Sequence, residues 1–425
     1  MNKKILIVNV NSIYQENATG ITLRSIFEEL DSDYLMELFW DGENNKSVPI
    51  KSYKLKYKSF SLGSSLVKLR KSKLNENIKK SEQNNNSRKT KRGYFSYLRQ
   101  YIALLSDQAP ICINHYIYEK IEEFKPDVIY TLGASVNALK LSYDLSIKYS
   151  VPIVIHHMDN WLHSIQWEDN LLLSSYVKKL RAYCFLCYSR SSNSIAISEN
   201  MAEDFTIETG IKHSVIMNST EISKYSCDLK KNTKCFNIIY AGGLHLGRYK
   251  SLIELGNVIE NLGLEKEKIR LHIYTNDENI GRYGYCFAHL KRTILHKSVS
   301  HDKITEIYSK ADVLLHVETT NLNSTDFFKY SISTKIPEYL STGKPILLYC
   351  PDDIYLYKFM SVNKLAETVS SISNLKKALD RLFLKNEYEL KSISKHNKEY
   401  AMSNFSKERA LEIFLKVINN SSLPS

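Results

Sequence analysis

Phe236-Asn237-Ile238-Ile239-Tyr240-Ala241-Gly242-Gly243-Leu244-His245-Leu246-Gly247-Arg248-Tyr249-Lys250 is the stretch that decides the fold. Its first five residues are β-branched or aromatic with one polar interruption, the composition of a strand buried on both faces. Glycines then turn the chain, and Arg248 and Lys250 flank a helix start. One strand, one turn and one helix make half of a β-α-β unit. Its position matters as much as its content, because the same alternation has already run once upstream and been broken. Ser223 to Lys234 is lysine-rich and turn-prone, and it reads as a linker. Phe236 is therefore a restart.

Working outward, the first series has strands at Ile5–Val10, Tyr34–Trp40, Asp127–Leu132, Ile153–His156, Ser194–Ile197 and Ser214–Met217, with a helix expected over Gly20–Leu30. The second continues with Arg270–Tyr274, Ile294–His296, Val313–His316 and Pro345–Tyr349, and ends in an amphipathic helical tail, Glu387–Ile418. Continuous apolar strands alternating with helices mark a parallel sheet covered on both faces. The expected architecture is α/β: two doubly wound, Rossmann-like domains facing each other across a cleft. The first spans 1–222, the linker 223–235 and the second 236–395. The segment 396–425 is expected as a C-terminal helix packing back towards the first domain. Ligands of such sheets bind beyond the carboxyl ends of the strands.

The 425 residues include 58 Lys plus Arg against 46 Asp plus Glu, a net charge of +12. Between Lys51 and Arg92 there are 14 Lys or Arg, with only Glu76 and Glu82 opposing them. The rest of the chain is therefore balanced, and the excess belongs to one basic insert at about 51–92. Lys71–Arg92 is polar and low in complexity, the composition of a mobile loop. The stretch before it interleaves Tyr53, Leu55, Tyr57, Phe60, Leu62, Leu66 and Leu69 with basic residues, as an interfacial element does.

Seven Cys without framework spacing fit reduced thiols. Cys184 and Cys187 form the one Cys-x-x-Cys, but no second pair completes a zinc site, so both are expected to face a core. The apolar run after Lys3-Lys4 ends at Asn9, too short for a signal sequence, and no run approaches a membrane span. The expectation is a cytoplasmic or peripheral protein. There is no Gly-x-Gly-x-x-Gly after the first strand, no Walker loop, no His-Glu-x-x-His and no Gly-x-Ser-x-Gly, which argues against those enzyme classes. Asp31-Ser32-Asp33 falls between a helix end and a strand start and reads as a solvated turn.

Four segments sit where a ligand would. Asn17-Ala18-Thr19-Gly20 opens the first helix. Its amides suit a phosphate or sugar hydroxyl, or else Thr19 is an ordinary N-cap. His156-His157-Met158-Asp159-Asn160-Trp161 follows a strand; either His is a structural core residue or faces the ligand, and Asp159 is placed to orient an imidazole or meet a hydroxyl. The Gly243–Lys250 turn offers the planar fork of Arg248 and the point charge of Lys250 to an anion, or is a solvated basic turn. Ser333-Thr334-Lys335-Ile336-Pro337-Glu338-Tyr339-Leu340-Ser341-Thr342-Gly343-Lys344-Pro345-Ile346 reads as a helix stopped by Gly343. Glu338, in its first turns, either meets a ribose or complements the helix dipole.

In this order and spacing, these segments resemble retaining GT-B glycosyltransferases of the group often called family 4. The resemblance covers nearly the whole chain and includes Ser194–Glu199 and Val215–Asn218. Its strongest parts are His156-x-Met158-Asp159-x-Trp161, the Gly243–Arg248 turn and Lys335-Ile336-Pro337-Glu338-Tyr339-Leu340. It implies a nucleotide-sugar co-substrate, no other cofactor and no metal, and a glycan acceptor on the first domain. Gly20, Gly243, Arg248, Lys250, Lys335 and Glu338 would bind the donor, with Glu338 on the ribose and Arg248 and Lys335 on the diphosphate. His156, Asp159, Arg248 and Lys335 would form the catalytic set. The family's paired glutamates stand eight positions apart, which puts Tyr330 where the partner of Glu338 belongs; Asp326 lies four residues earlier.

The expected activity is hexosyl transfer to a growing, lipid-linked glycan of the bacterial surface (capsule, exopolysaccharide or O-antigen), at the inner face of the membrane. The insert 51–92 would dock on anionic lipid. Two rival readings remain: a catalytically idle GT-B subunit, suggested by Tyr330, and a nucleic-acid-binding protein using the insert. A charge-balanced remainder without a nucleic-acid module argues against the second.

Overall fold

A computed structural model describes residues 3–15, 18–42, 49–58, 102, 104–160, 171–225, 235–263, 266–319, 329–330 and 332–424. Two compact units divide the chain: Met1–Ile216 with Leu411–Ser425, and Met217–Ala410.

The first unit is built on seven strands: β1 Ile5–Val8, β2 Leu35–Phe39, β3 Lys51–Lys54, and, after the short β4 Lys56–Tyr57 and β5 Ile111–Cys112, β6 Val128–Leu132, β7 Ile153–His157, β8 Asn193–Ala196 and β9 Lys212–Val215. They lie in the order β3-β2-β1-β6-β7-β8-β9, all parallel. All four residues of β1 are fully buried, because a central parallel strand has helices on both faces. β4 and β5 pair separately and antiparallel.

β3 corrects the expected insert. Residues 51–57 belong to the fold, and Lys51 and Lys54 stand exposed on the edge strand of the sheet, where lysines discourage pairing with another chain. The segment 59–92, with Lys71–Arg92, lies outside the described residues. Helix Ala18–Phe27 begins earlier than expected, so Thr19 is inside the helix and is not its N-cap; Asn17 lies outside the described residues. Asp31-Ser32-Asp33 is a turn, with the Asp31 carboxylate accepting from the Asp33 amide. Cys184 and Cys187 are buried in helix Leu171–Tyr188.

The second unit has β10 Phe236–Ala241, β11 Ile269–Thr275, β12 Thr293–Lys297, β13 Val313–Val317, β14 Ile346–Tyr349 and β15 Glu367–Val369, in the parallel order β12-β11-β10-β13-β14-β15. One face carries a core of Ile238, Leu271, Ile273, Leu315 and Leu347 against Leu252, Leu255, Leu375 and Leu379 of helices Arg248–Glu260 and Ile372–Phe383.

The second unit begins at Met217, ahead of the linker expected at 223–235. Ile222–Tyr225 forms a turn belonging to it. The expected single C-terminal helix over 396–425 is two helices, Glu387–Phe405 and Lys407–Asn420, with the break at Ser406. Residues from Leu411 onward belong to the first unit, where the Phe414 ring meets Phe27 at 5.2 Å and Tyr130 at 5.7 Å.

Candidate active site

In each sheet the strand order reverses once, between β1 and β6 and between β10 and β13, and there the connecting loops diverge and leave a crevice. The candidate residues fall into two groups, one at each crevice.

In the second unit, the chain leaves β10 and turns through Leu246 and Gly247, with φ of 56° and 83°, into helix Arg248–Glu260. A Cβ on Gly247 would lie 2.4 Å from Thr319 Oγ1, so only glycine lets this turn close against the loop after β13. Arg248, at the first helical position, donates from Nε and Nη2 to Glu318 Oε2 and Oε1, both at 2.9 Å. Glu318 is 4% exposed, and His316 Nε2 stands 3.1 Å from Oε1. Burial pushes the Glu318 carboxyl up, but His316 and Arg248 outweigh it and hold it down at about 2. Burial lowers the His316 imidazole.

Lys335 opens helix Lys335–Thr342 and lays its stem over the glycine turn, its Cε 3.2 Å from where a Gly242 Cβ would stand. Among the described residues its ammonium has no ion pair or hydrogen bond, in contrast to Arg248. Burial and the neighbouring Arg248 lower its pKa, against the pull of Glu338 and Glu318. His245 joins the group, lowered by burial and then by Arg248 and Lys335. A Cβ on Gly243 would lie 2.4 Å from the His245 ring.

Glu338 takes hydroxyl donors on both oxygens: Tyr308 on Oε2 at 2.9 Å and Tyr225 on Oε1 at 3.4 Å. A carboxylate has about four lone-pair sites, so two remain for a diol. Lys250 is exposed on its helix and takes no part in the Arg248–Glu318 pair. Tyr330 is buried and accepts from Lys329 Nζ at 2.8 Å, so no carboxylate stands at that position; Asp326 lies outside the described residues.

In the first unit, a cavity of about 180 Å³ opens at the carboxyl ends of β1, β6 and β7. Gly20, His156 and Asp159 all line it, together with Asn9, Ser12, Gln15 and Ser135. Its walls are held from behind. Glu37, fully buried on β2, accepts from the Ile13 amide at 2.7 Å and from Ser12 and Ser52 hydroxyls at 2.9 and 2.7 Å, which pins the loop after β1. Asp107 accepts from Ser135 Oγ, the Val136 amide and Tyr176 OH, which pins the loop after β6.

A Cβ on Gly20 would lie 2.0 Å from the Gln15 carbonyl oxygen, so this glycine allows chain to approach chain. The two neighbouring histidines differ. His157 Nε2 pairs with Tyr188 OH at 2.7 Å, and that hydroxyl lies 3.1 Å from His213 Nε2, a buried structural chain. His156 is fully buried, and burial lowers it to about 3. Trp161 lies outside the described residues.

Two doubly wound parallel sheets on one chain, each with its crevice at the strand reversal, define the GT-B fold. Solved structures match over nearly the full length. HepE of Anabaena in complex with UDP gives a TM-score of 0.65 at 13% identity, covering 98% of this chain and 99% of that one. The lipopolysaccharide outer core galactosyltransferase WaaB gives 0.58 at 15% identity, over 98% and 99%. Sucrose-phosphate synthase from Thermosynechococcus elongatus gives 0.62 at 9% identity, over 98% of each. No protein-family model and no curated protein matches the sequence.

Sequence reasoning missed Glu318, His316, His245, Gly247, Asn9 and Tyr130. Glu318 and Asn9 had a weak signal: each is a polar residue directly after the observed end of a central strand, Val313–Val317 and Ile5–Val8, but the expected strands Val313–His316 and Ile5–Val10 did not end at them. Tyr130 had none: it reads as one more apolar residue inside a strand. Among the described residues, no group of three or more His, Cys, Asp or Glu is placed to hold a metal ion, and no helix is long and apolar enough to cross a membrane.

Proposed function

We propose that the chain is a glycosyltransferase that moves a hexose-type sugar from a nucleotide-sugar donor to a glycan acceptor. The observation that carries this reading is Lys335: a partly buried ammonium, unpaired among the described residues, over a glycine turn at the crevice of the second sheet. Beside it, Arg248 is held by Glu318, and Glu338 keeps lone pairs for a ribose. A donor diphosphate would give Lys335 a direct ion-pair partner beyond the more distant pull of Glu338 and Glu318. As the glycosidic bond breaks, negative charge grows on that diphosphate, and preorganised cations there lower the barrier most. With Lys335 and Arg248 in this role the reaction needs no metal. Retention would follow if the leaving phosphate deprotonates the acceptor hydroxyl on the face it leaves.

HepE is described with UDP and with UDP-glucose, which makes UDP-glucose the first donor to try. WaaB acts in lipopolysaccharide synthesis by its name, and this favours a lipid-linked surface glycan as acceptor and a cytoplasmic, membrane-peripheral enzyme docked through residues 51–92. Tyr330 favours a second reading, a GT-B subunit that binds donor without turnover.

Thermal unfolding with UDP-, GDP- and CMP-sugars tests the donor site. A donor at 100 times its Kd adds about 2.7 kcal/mol. Lys335→Ala is expected to weaken that donor about tenfold or more, the loss of a charge-assisted bond. Stabilisation by none of them, or equal binding by Lys335→Ala, overturns the reading. Binding without sugar transfer at a rate above that of Glu338→Ala selects the idle subunit.

A further inference from the structure

Two residues that line the cavity of the first unit each carry a buried polar atom without a partner among the described residues: Asn9 Nδ2 and His156 Nε2. They stand in one row. Val8 pairs with Thr131 across β1 and β6, and Leu132 pairs with His156 across β6 and β7, so Asn9, Leu132 and His156 lie side by side at the carboxyl edge of the sheet. Leaving such atoms unsatisfied forfeits their hydration with nothing in return, a cost a ligand would remove.

Hydrogen bonding fixes what each atom offers. The Leu132 amide donates to Asn9 Oδ1 at 3.2 Å. An amide N–H needs an acceptor, so the Asn9 carboxamide cannot be turned round and Nδ2 is its free side. Tyr130 OH lies 2.7 Å from His156 Nδ1. Tyr130 is fully buried, and that ring nitrogen is the one partner of its hydroxyl among the described residues. The hydroxyl proton must therefore go to Nδ1, which makes Nδ1 the acceptor and leaves the proton of the neutral ring on Nε2. The Tyr130 ring is itself fixed edge-on by Phe27 at 5.2 Å and by Phe414 at 5.7 Å.

We propose that Tyr130 is a positioning residue that holds His156 as its Nε2–H tautomer, so that His156 and Asn9 present two neutral donors to hydroxyl oxygens of one uncharged, sugar-like ligand. Charge selects the ligand class. Among the described residues no Lys or Arg lines the cavity, and the charged lining residue is Asp159. A phosphate or carboxylate would meet that carboxylate with no cation to offset it, whereas a hydroxyl both accepts from the donor pair and donates to Asp159. Burial keeps the His156 ring neutral, lowered to about 3, so it serves as a donor and is a poor general base. The sugar assignment rests on the transferase reading. The tautomer does not.

Proton–nitrogen correlation spectra of ring-nitrogen-labelled protein, with the His156 signal assigned by loss in His156→Gln, read the tautomer without substrate. The expected result is an Nε2–H ring unchanged between about pH 8 and about pH 5, becoming a tautomer mixture in Tyr130→Phe, which keeps the ring packing. A wild-type ring protonated on Nδ1 overturns the proposal, whatever the protein catalyses. In the second arm, glucose, galactose and mannose are titrated against inorganic phosphate. At least one hexose should shift the His156 Nε2–H signal, that hexose should bind Asn9→Ala about tenfold more weakly, and phosphate should shift nothing. A response to phosphate alone, or to no hexose, overturns the ligand class, and a correct tautomer beside it separates that failure from the first.

Discussion

Burial and pairing give His156 and Glu318 opposite histories with pH but the same consequence for stability. His156 binds a proton at about 3 in the folded chain and near 6.5 when unfolded. Acid therefore favours the unfolded state below about pH 6.5, by about 1.4 kcal/mol per pH unit for this one group. Glu318, held at about 2, contributes stability that is full above the ordinary carboxylate range near 4.5 and is lost as pH falls towards 2. The loss of stability should begin near pH 6.5 and steepen below about 4.5. Urea unfolding between about pH 7 and about pH 5 is the check. His156→Gln is expected to be less stable at neutral pH but flatter with pH by about 1.4 kcal/mol per unit, and an unchanged slope would falsify the assignment. This scale was also the least legible one in the sequence. His156, Asp159, Arg248, Lys335 and Glu338 were chosen for residue type beyond a strand end. That Glu318 accepts along one edge of the Arg248 guanidinium, and that Tyr130 takes one nitrogen of His156, depends on neighbours 70 and 26 residues away.

At the scale of elements, buried strands were read well because a central parallel strand must be apolar throughout: Ile5–Val8, Val128–Leu132 and Val313–Val317 are wholly or nearly wholly buried. β3 was missed for the converse reason. An edge strand reading Lys-Ser-Tyr-Lys carries solvent on one side and resembles the basic segment that follows it. The helix Lys335–Thr342 and its Gly343 stop, at φ 71°, were legible because a left-handed C-cap calls for glycine. The turn before Arg248 obeys the same rule. Gly247→Ala must hold an L-residue at φ 83° and push against Thr319. It should cost more than the ~1–2 kcal/mol of the backbone conformation alone and weaken donor binding by moving Arg248. Gly281, inside helix Asp277–Tyr283 with open space around it, is the control. There alanine should stabilise by up to about 1 kcal/mol. Denaturant melts of the two variants should move in opposite directions.

For the molecule as a whole, +12 is a local quantity. Four of its lysines, Lys51, Lys54, Lys56 and Lys58, stand exposed on or beside the sheet edge, and the others follow in the segment to Arg92. An anionic bilayer attracts each nearby Lys or Arg by about 1 kcal/mol. The protein should therefore sediment with phosphatidylserine vesicles at low salt, come off as salt rises, and ignore neutral vesicles. Removing Lys71–Arg92 should weaken the effect without changing donor affinity; undiminished sedimentation of the deleted protein would show that this segment docks nothing.

The placement of Phe414 against Phe27 and Tyr130 has a consequence in time. A ribosome makes the residues of the first unit in two instalments, with Met217–Ala410 between them. At about 5–20 residues per second, the first unit waits on the order of ten to forty seconds with the Phe27 and Tyr130 rings not yet met by Phe414. The half of the protein that is born first is the half that finishes last, and it does so only after the other half has had the chance to fold.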